Sequence, residues 1–259
     1  MNWRVFLASA TGKRHLEEGT PCQDYGCHGF SRGLFVGVVC DGAGSAPESR
    51  KGAEFVAQKL VAYLPDALAD EFQGAADVDV FRVAVEAVLE RARLELAEQQ
   101  GICDPQDEGT GNASLRDYAC TLVGCVSGEG RGFFFHIGDG FAVHLNGPGP
   151  STISFPENGE YSNETYFVTD RDWRDHLRLT PFVNGEGESL VGLMTDGSSP
   201  FVIDRDRTGF YRPFIDPVAN YLRAATETDG SQALQNLLEN ERTYEITSDD
   251  KTLLLAFVG

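Results

Sequence analysis

Carboxylates recur in this sequence at the ends of short hydrophobic runs. Val38-Val39-Cys40-Asp41-Gly42, His136-Ile137-Gly138-Asp139-Gly140 and Leu193-Met194-Thr195-Asp196-Gly197 each finish an apolar run on Asp-Gly. Thr247-Ser248-Asp249-Asp250-Lys251-Thr252 precedes the last such run, and Gln23-Asp24 follows the first. Asp-Gly is a favoured turn pair. It occurs four times here, Asp229-Gly230 included, so its presence alone decides nothing. Its context is more informative, because a strand ending on Asp holds a carboxylate rigidly at the edge of a sheet. Clusters of oxygen ligands select hard divalent cations such as Mg²⁺ or Mn²⁺. Carboxylates brought together repel one another, and dications relieve that repulsion. Two metals about 3.5–4 Å apart can share a water, lower its pKa and aim the hydroxide at phosphorus.

Such a site needs strands whose ends converge. Period-two and β-branched patterns predict strands at Arg4 to Ser9, Leu34 to Cys40, Ala119 to Val126, Gly132 to Ile137 and Phe141 to Leu145. Others are predicted at Thr152 to Phe155, Tyr166 to Thr169, Leu190 to Thr195 and Thr252 to Val258. Gly138-Asp139-Gly140 is expected to join two of them tightly, as a hairpin. A helix is predicted to open with Ser45-Ala46-Pro47-Glu48 as a capping box, with an apolar face of Phe55, Val56, Leu60, Val61 and Leu64. A second starts at Asp79 and carries Phe81, Val85, Val88, Ala92 and Leu96 at helical spacing. A third helical region, Pro217 to Ala225 and Ser231 to Leu238, is broken at Asp229-Gly230, and polar Gly101 to Asn112 reads as a surface loop. Strands, a helix pair, a strand meander, a second helix pair and a last strand describe a layered α+β domain with mostly antiparallel sheets. Parallel doubly wound sheets would need helices alternating with strands.

The 259 residues carry a formal net charge of -19, which repels nucleic-acid backbones and anionic lipid, so neither nucleic acid nor membrane is an expected partner. The apolar runs are strand-sized, too short to span a bilayer, and the first residues lack the pattern of a signal peptide. No linker or repeat divides the chain, which reads as one domain over 1–259. Six cysteines form no CxxC pair, which points to reduced thiols and a cytoplasmic protein.

In their order these motifs resemble the metal-dependent type 2C serine/threonine protein phosphatase superfamily, in its compact bacterial branch. The resemblance starts with Trp3-Arg4, Gly12, His15 and Pro21-Cys22-Gln23-Asp24. It continues through Asp41-Gly42-Ala43-Gly44-Ser45, Asp117-Tyr118-Ala119-Cys120-Thr121, Ile137-Gly138-Asp139-Gly140, Thr195-Asp196-Gly197 and Asp249-Asp250-Lys251-Thr252. It implies a four-layer α-β-β-α sandwich, with two mostly antiparallel sheets face to face and helices on both outer faces. It also implies hydrolysis of phosphoserine and phosphothreonine in proteins by a hydroxide bridging two divalent metals, Mn²⁺ or Mg²⁺. The substrate would be a phosphorylated protein, a serine/threonine kinase or its target. By motif position Asp41 bridges both metals, the Gly42 carbonyl binds one, and Asp196 and Asp249 hold the other. Asp24 orients metal-bound water from behind, and Asp139 matches a position for a third, weaker metal.

Three positions depart from the superfamily pattern. Animal members carry a histidine after the Asp-Gly that can protonate the leaving oxygen, and here Ala43 stands there. The second carboxylate for the additional metal is replaced by Pro200. The phosphate-gripping arginine has no clean counterpart, and Arg14 and His15 are the nearest candidates. His15 lies in a polar stretch, where a solvated loop histidine is the simpler reading. His136 reads as a core histidine, and His28, His144 and His176 as structural. Asp117 reads as a turn residue or a brace, the acids around Trp173 (Asp170, Asp172, Asp175) as a solvated face, and Cys40 as a buried thiol. A catalytically silent binding module on the same fold is the competing function. A calcium-binding protein lacks support, because no loop has the alternating carboxylates of an EF-hand.

Overall fold

Strand alternation lets this chain bury its apolar runs on three levels. The computed structural model describes residues 3–74, 77–102, 114–128, 130–147, 151–156, 165–185 and 187–259. The elements begin with β1 (Trp3–Ala10), α1 (Lys13–Glu18), β2 (Tyr25–Ser31), β3 (Leu34–Cys40), α2 (Ser49–Gln73) and α3 (Val78–Gln100). Next come β4 (Leu122–Gly128), β5 (Arg131–Ile137), β6 (Phe141–Asn146), β7 (Thr152–Ser154), α4 (Trp173–His176), β8 (Arg178–Val183) and β9 (Ser189–Met194). The chain finishes with α5 (Ser199–Val202), α6 (Arg212–Ala224), α7 (Glu227–Leu238), α8 (Glu241–Ile246) and β10 (Lys251–Val258).

The strands form two five-stranded sheets, ordered β1-β10-β9-β6-β7 and β2-β3-β4-β5-β8. Every strand pairing among the described residues is antiparallel. In β3, Leu34, Val36, Val38 and Cys40 pack under α2 and α3, while Phe35 and Val39 face the other sheet. In β10, Leu253, Leu255 and Phe257 pack with α6 and α7, while Leu254 and Ala256 enter the layer between the sheets. These three apolar layers hold four layers of structure together, as expected of the α-β-β-α sandwich.

Several local expectations need correction. The first long helix does not start at a Ser45 cap; it starts at Ser49, and Glu48 makes no capping bond. Its entry is held by a tertiary contact, with Glu48 N donating to the Asp117 carbonyl at 2.8 Å. The second begins at Val78 with Asp77 as its cap, the Asp77 carboxylate accepting from Val78 N at 2.6 Å. Asp229-Gly230 breaks nothing. It lies within α7, and the break falls at Ala225-Thr226, where Thr226 Oγ1 accepts from Asp229 N. Gly230 is needed because α7 crosses β1 closely, and a Cβ there would lie 2.3 Å from the Phe6 ring. Tyr166 to Thr169 is a turn, not a strand, held where the Asp170 carboxylate accepts from Phe167 N at 2.7 Å. The strands that periodicity missed, β2 and β8, are the two edges of one sheet, where patterning is weakest and Pro181 is tolerated. Most of the loop expected over Gly101 to Asn112, with Cys103, lies outside the described residues.

No described helix is long and apolar enough to cross a membrane. Leu254→Ala, in the layer between the sheets, is expected to cost about 2–5 kcal/mol. It should lower the urea midpoint of unfolding while leaving the slope unchanged.

Candidate active site

Antiparallel pairing brings the predicted acids to one end of both sheets. Asp41 follows the last residue of β3, Asp24 precedes β2, and Cys40 pairs with Tyr25 in register. Asp139 sits between β5 and β6, which is a crossing from one sheet to the other and not the expected hairpin, and Asp196 lies just beyond Met194, which pairs with both Phe141 and Leu253. Asp249 and Asp250 immediately precede β10. The turns must be tight for this convergence. Gly138 has φ +104°, and a Cβ on Gly197 would lie 2.0 Å from the Asp250 carbonyl oxygen, so no larger residue fits.

Asp41, Asp139 and Asp196 each offer a carboxylate oxygen, all within 4.8 Å of one another. Threonines position these acids and the one behind them. Asp41 N donates to Thr121 Oγ1 at 3.1 Å, and Thr121 N donates back to the Asp41 carbonyl at 2.8 Å. Thr165 Oγ1 donates to Asp139 Oδ2 at 2.7 Å. Behind them the buried Asp24 accepts from Thr195 Oγ1 at 2.8 Å. One buried oxygen on each of Asp24, Asp139 and Asp196 has no hydrogen-bond partner among the described residues. Leaving such atoms unpaired is costly, and divalent cations would satisfy them. The donor set is therefore suited to hard metal ions.

The acids open onto a cavity of about 240 Å³, lined also by Arg14, His15, Gln23, Gly44, Ser45 and Ser248. Asp249 lies exposed on its rim, outside the group of three, with its N–H bonded to Thr247 Oγ1. Asp139, expected at an additional metal, lies in that group beside Asp41 and Asp196. Arg14 and His15 come from α1, a helix the periodicity did not reveal. His15 is not a solvated loop residue; it is buried, with Nδ1 2.9 Å from Asp250 Oδ2. Asp250 was overlooked. It is buried and also accepts from Gly12 N at 2.6 Å and Gln23 N at 2.5 Å. The signal for it was the Asp-Asp pair itself, since adjacent residues entering a strand point to opposite sides.

The remaining candidates lie elsewhere. Asp117 is a turn residue whose carboxylate accepts from Ser114 N at 2.9 Å. Asp172 and Asp175 are exposed as expected, but Asp170 is half-buried in its turn. His136 is a core histidine bonded through Nδ1 to Ser154 Oγ at 3.0 Å. His144 bonds Asn184 Oδ1 at 3.0 Å. Cys40 is a buried thiol pushed up in pKa by burial and the adjacent Cys120, and so inert.

Burial, reinforced by neighbouring carboxylates, favours the protonated acids. It raises Asp41 well above the usual range, with Asp24 and Asp196 adding to the effect. Burial pushes Asp24 up to about 7, and burial with the Asp139 charge pushes Asp196 up to about 6. The folded metal-free protein thus holds protons that the unfolded chain, with values near 3.8, has released. This contribution to stability is complete below 3.8 and lost as pH rises through about 6 and then about 7. Chelator-treated protein should melt at a higher temperature at about pH 5.5 than at about pH 8, and Mn²⁺ should raise the melting temperature more at the higher pH. Equal Mn²⁺ shifts at both pH values would contradict this electrostatic account.

Comparisons with known proteins agree with this geometry. The family model described as protein phosphatase 2C matches residues 11–239. Serine/threonine-protein phosphatase 3 of Escherichia coli (strain K12) is 31% identical over 265 residues, covering 99% of this chain and 98% of that protein. Among solved structures, the S. agalactiae serine/threonine phosphatase superposes with a TM-score of 0.64 at 14% identity, covering 100% of both chains. PppA, a regulatory component of the type VI secretion system in Pseudomonas aeruginosa, superposes at 0.62 with 16% identity, covering 99% of this chain and 97% of that one. At these identities the structures show a shared fold. The sequence match spans most of the chain, and the chain belongs to the protein phosphatase 2C family.

Proposed function

We propose that this protein hydrolyses phosphoserine and phosphothreonine in other proteins with two divalent cations, Mn²⁺ or Mg²⁺, and that it opposes a serine/threonine kinase. Membership of the family makes it a metal-dependent protein serine/threonine phosphatase. The observation that carries the finer reading is the trio Asp41, Asp139 and Asp196, with buried oxygens left unsatisfied beside the cavity. Asp41 and the Gly42 carbonyl would hold one cation, with Asp41, Asp196 and Asp249 holding the other. Asp139 would join a third, weaker site. When bound, the metals supply Lewis acidity and a nucleophilic hydroxide at neutral pH.

The chain's own residues do the positioning. Thr121 pins the Asp41 backbone on both sides, and Thr195 fixes Asp24 behind the site, where it can accept from water. The exposed Arg14 guanidinium reaches over Gly44, whose Cβ, if present, would lie 3.2 Å from Arg14 Nη2. There it can grip two oxygens of a phosphoryl group. A cavity of about 240 Å³ suits a phosphorylated side chain rather than a cofactor-sized ligand. A cytoplasmic location is supported by five unpaired cysteines among the described residues.

The test is release of phosphate from a phosphothreonine peptide by chelator-stripped protein, with and without added Mn²⁺. Activity should return with metal and be lost in Asp41→Asn and Asp196→Asn, while Asp24→Asn should cost about 10–100-fold. Persistence of Mn²⁺-dependent activity in Asp41→Asn would overturn the mechanism.

A further inference from the structure

Breaking a phosphate ester of serine or threonine expels an alkoxide, a poor leaving group that needs a proton as the bond breaks. The position after Asp41-Gly42 cannot supply it, because Ala43 has no proton to give. Among the described residues that line the cavity, Arg14 is placed to grip phosphate, and Asp41, Asp139 and Asp196 face one another. His15 is the one imidazole there.

We infer that His15 is the general acid for the leaving oxygen and that Asp250 is its positioning residue, an inference that rests on the phosphatase reading above. Asp250 already accepts two backbone N–H groups, from Gly12 and Gln23, so its carboxylate is fixed in place. A carboxylate only accepts, so the 2.9 Å contact puts a proton on His15 Nδ1 and sets the ring plane. Nε2 then points away from Asp250 and has no partner among the described residues. Helix α1 is itself clamped to the segment before β10 that carries Asp249 and Asp250. Arg14 N donates to the Ser248 carbonyl at 3.3 Å, and a Cβ on Gly12 would lie 2.4 Å from that same oxygen. Arg14 and His15 therefore divide the task that the sequence left them sharing, Arg14 gripping phosphate and His15 protonating the departing oxygen.

In the step, a water oxygen bonds to phosphorus and the ester P–O bond breaks, its electron pair going to the serine or threonine oxygen. That oxygen takes the Nε2 proton of the doubly protonated ring, which keeps its Nδ1 proton on Asp250, and leaves as the alcohol. The attacking water's proton passes to solvent, and a solvent proton restores Nε2.

Leaving-group dependence tests the assignment. p-Nitrophenyl phosphate releases a phenolate that departs without a proton. In the Mn²⁺-loaded protein, His15→Gln should lose about 100-fold in kcat/KM on a phosphothreonine peptide and less than about tenfold on p-nitrophenyl phosphate. Calorimetric Mn²⁺ binding should be unchanged. Asp250→Asn should shift the ratio of the two activities in the same direction by a smaller factor, which keeps the test open if His15→Gln folds poorly. Equal losses on both substrates, or none on either, would overturn the inference, and so would a parallel loss of Mn²⁺ binding. If the wild-type protein hydrolyses neither substrate, the phosphatase reading fails first and takes this assignment with it.

Discussion

Mutual repulsion among carboxylates is the constraint on which the rest of this structure turns. Six aspartates, at positions 24, 41, 139, 196, 249 and 250, are delivered to one end of two sheets. Arg14 is the only lysine or arginine among the described residues lining the cavity between them. Water is largely excluded from Asp24, and only Asp250, against His15, and the exposed Asp249 have their charge dispersed by a partner or by solvent. Burial and the neighbouring charges favour the protonated forms of Asp24, Asp41 and Asp196, and bound cations would favour their carboxylates. Stability and metal binding are therefore coupled in this protein through the same few oxygens.

The sandwich explains how such an unfavourable cluster is tolerated. Three apolar layers, one between the sheets and one under each helix pair, hold the strands rigidly enough that their ends cannot splay to relieve the repulsion. Antiparallel pairing makes the convergence automatic, since the end of one strand always meets the beginning of its neighbour. Cys40 meets Tyr25, and Met194 meets Leu253 and Phe141, so the acids beyond each run become neighbours. Thr165 and Thr195 then orient the carboxylates of Asp139 and Asp24, and Thr121 fixes the Asp41 backbone.

Legibility in the sequence followed burial. Strands buried on both faces, such as β3 and β10, were read closely because their apolar runs are continuous. β2 and β8 leave little periodic trace because almost none of their residues is fully buried. Helix boundaries were misjudged where a tertiary contact replaced a local signal. Ser45-Ala46-Pro47-Glu48 has the form of a capping box, yet the helix start is set by the carbonyl of Asp117, nearly seventy residues away. Asp229-Gly230 looks like a helix break, yet the glycine is there to let Phe6 approach.

The sequence by itself determined which residues could do chemistry and roughly where the strands end, because acids following apolar runs leave a local and periodic trace. It also determined the family, through the order of those motifs along the chain. Only the tertiary structure decided which acids meet. It set Asp139 beside Asp41 and Asp196, left Asp249 on the rim, and turned Asp250 inward to hold His15. The physical reason is that a carboxylate's role depends on what lies within a few ångströms of it. For residues as far apart as 15 and 250, that distance is set by sheet register and helix packing, neither of which is written in any local stretch of sequence.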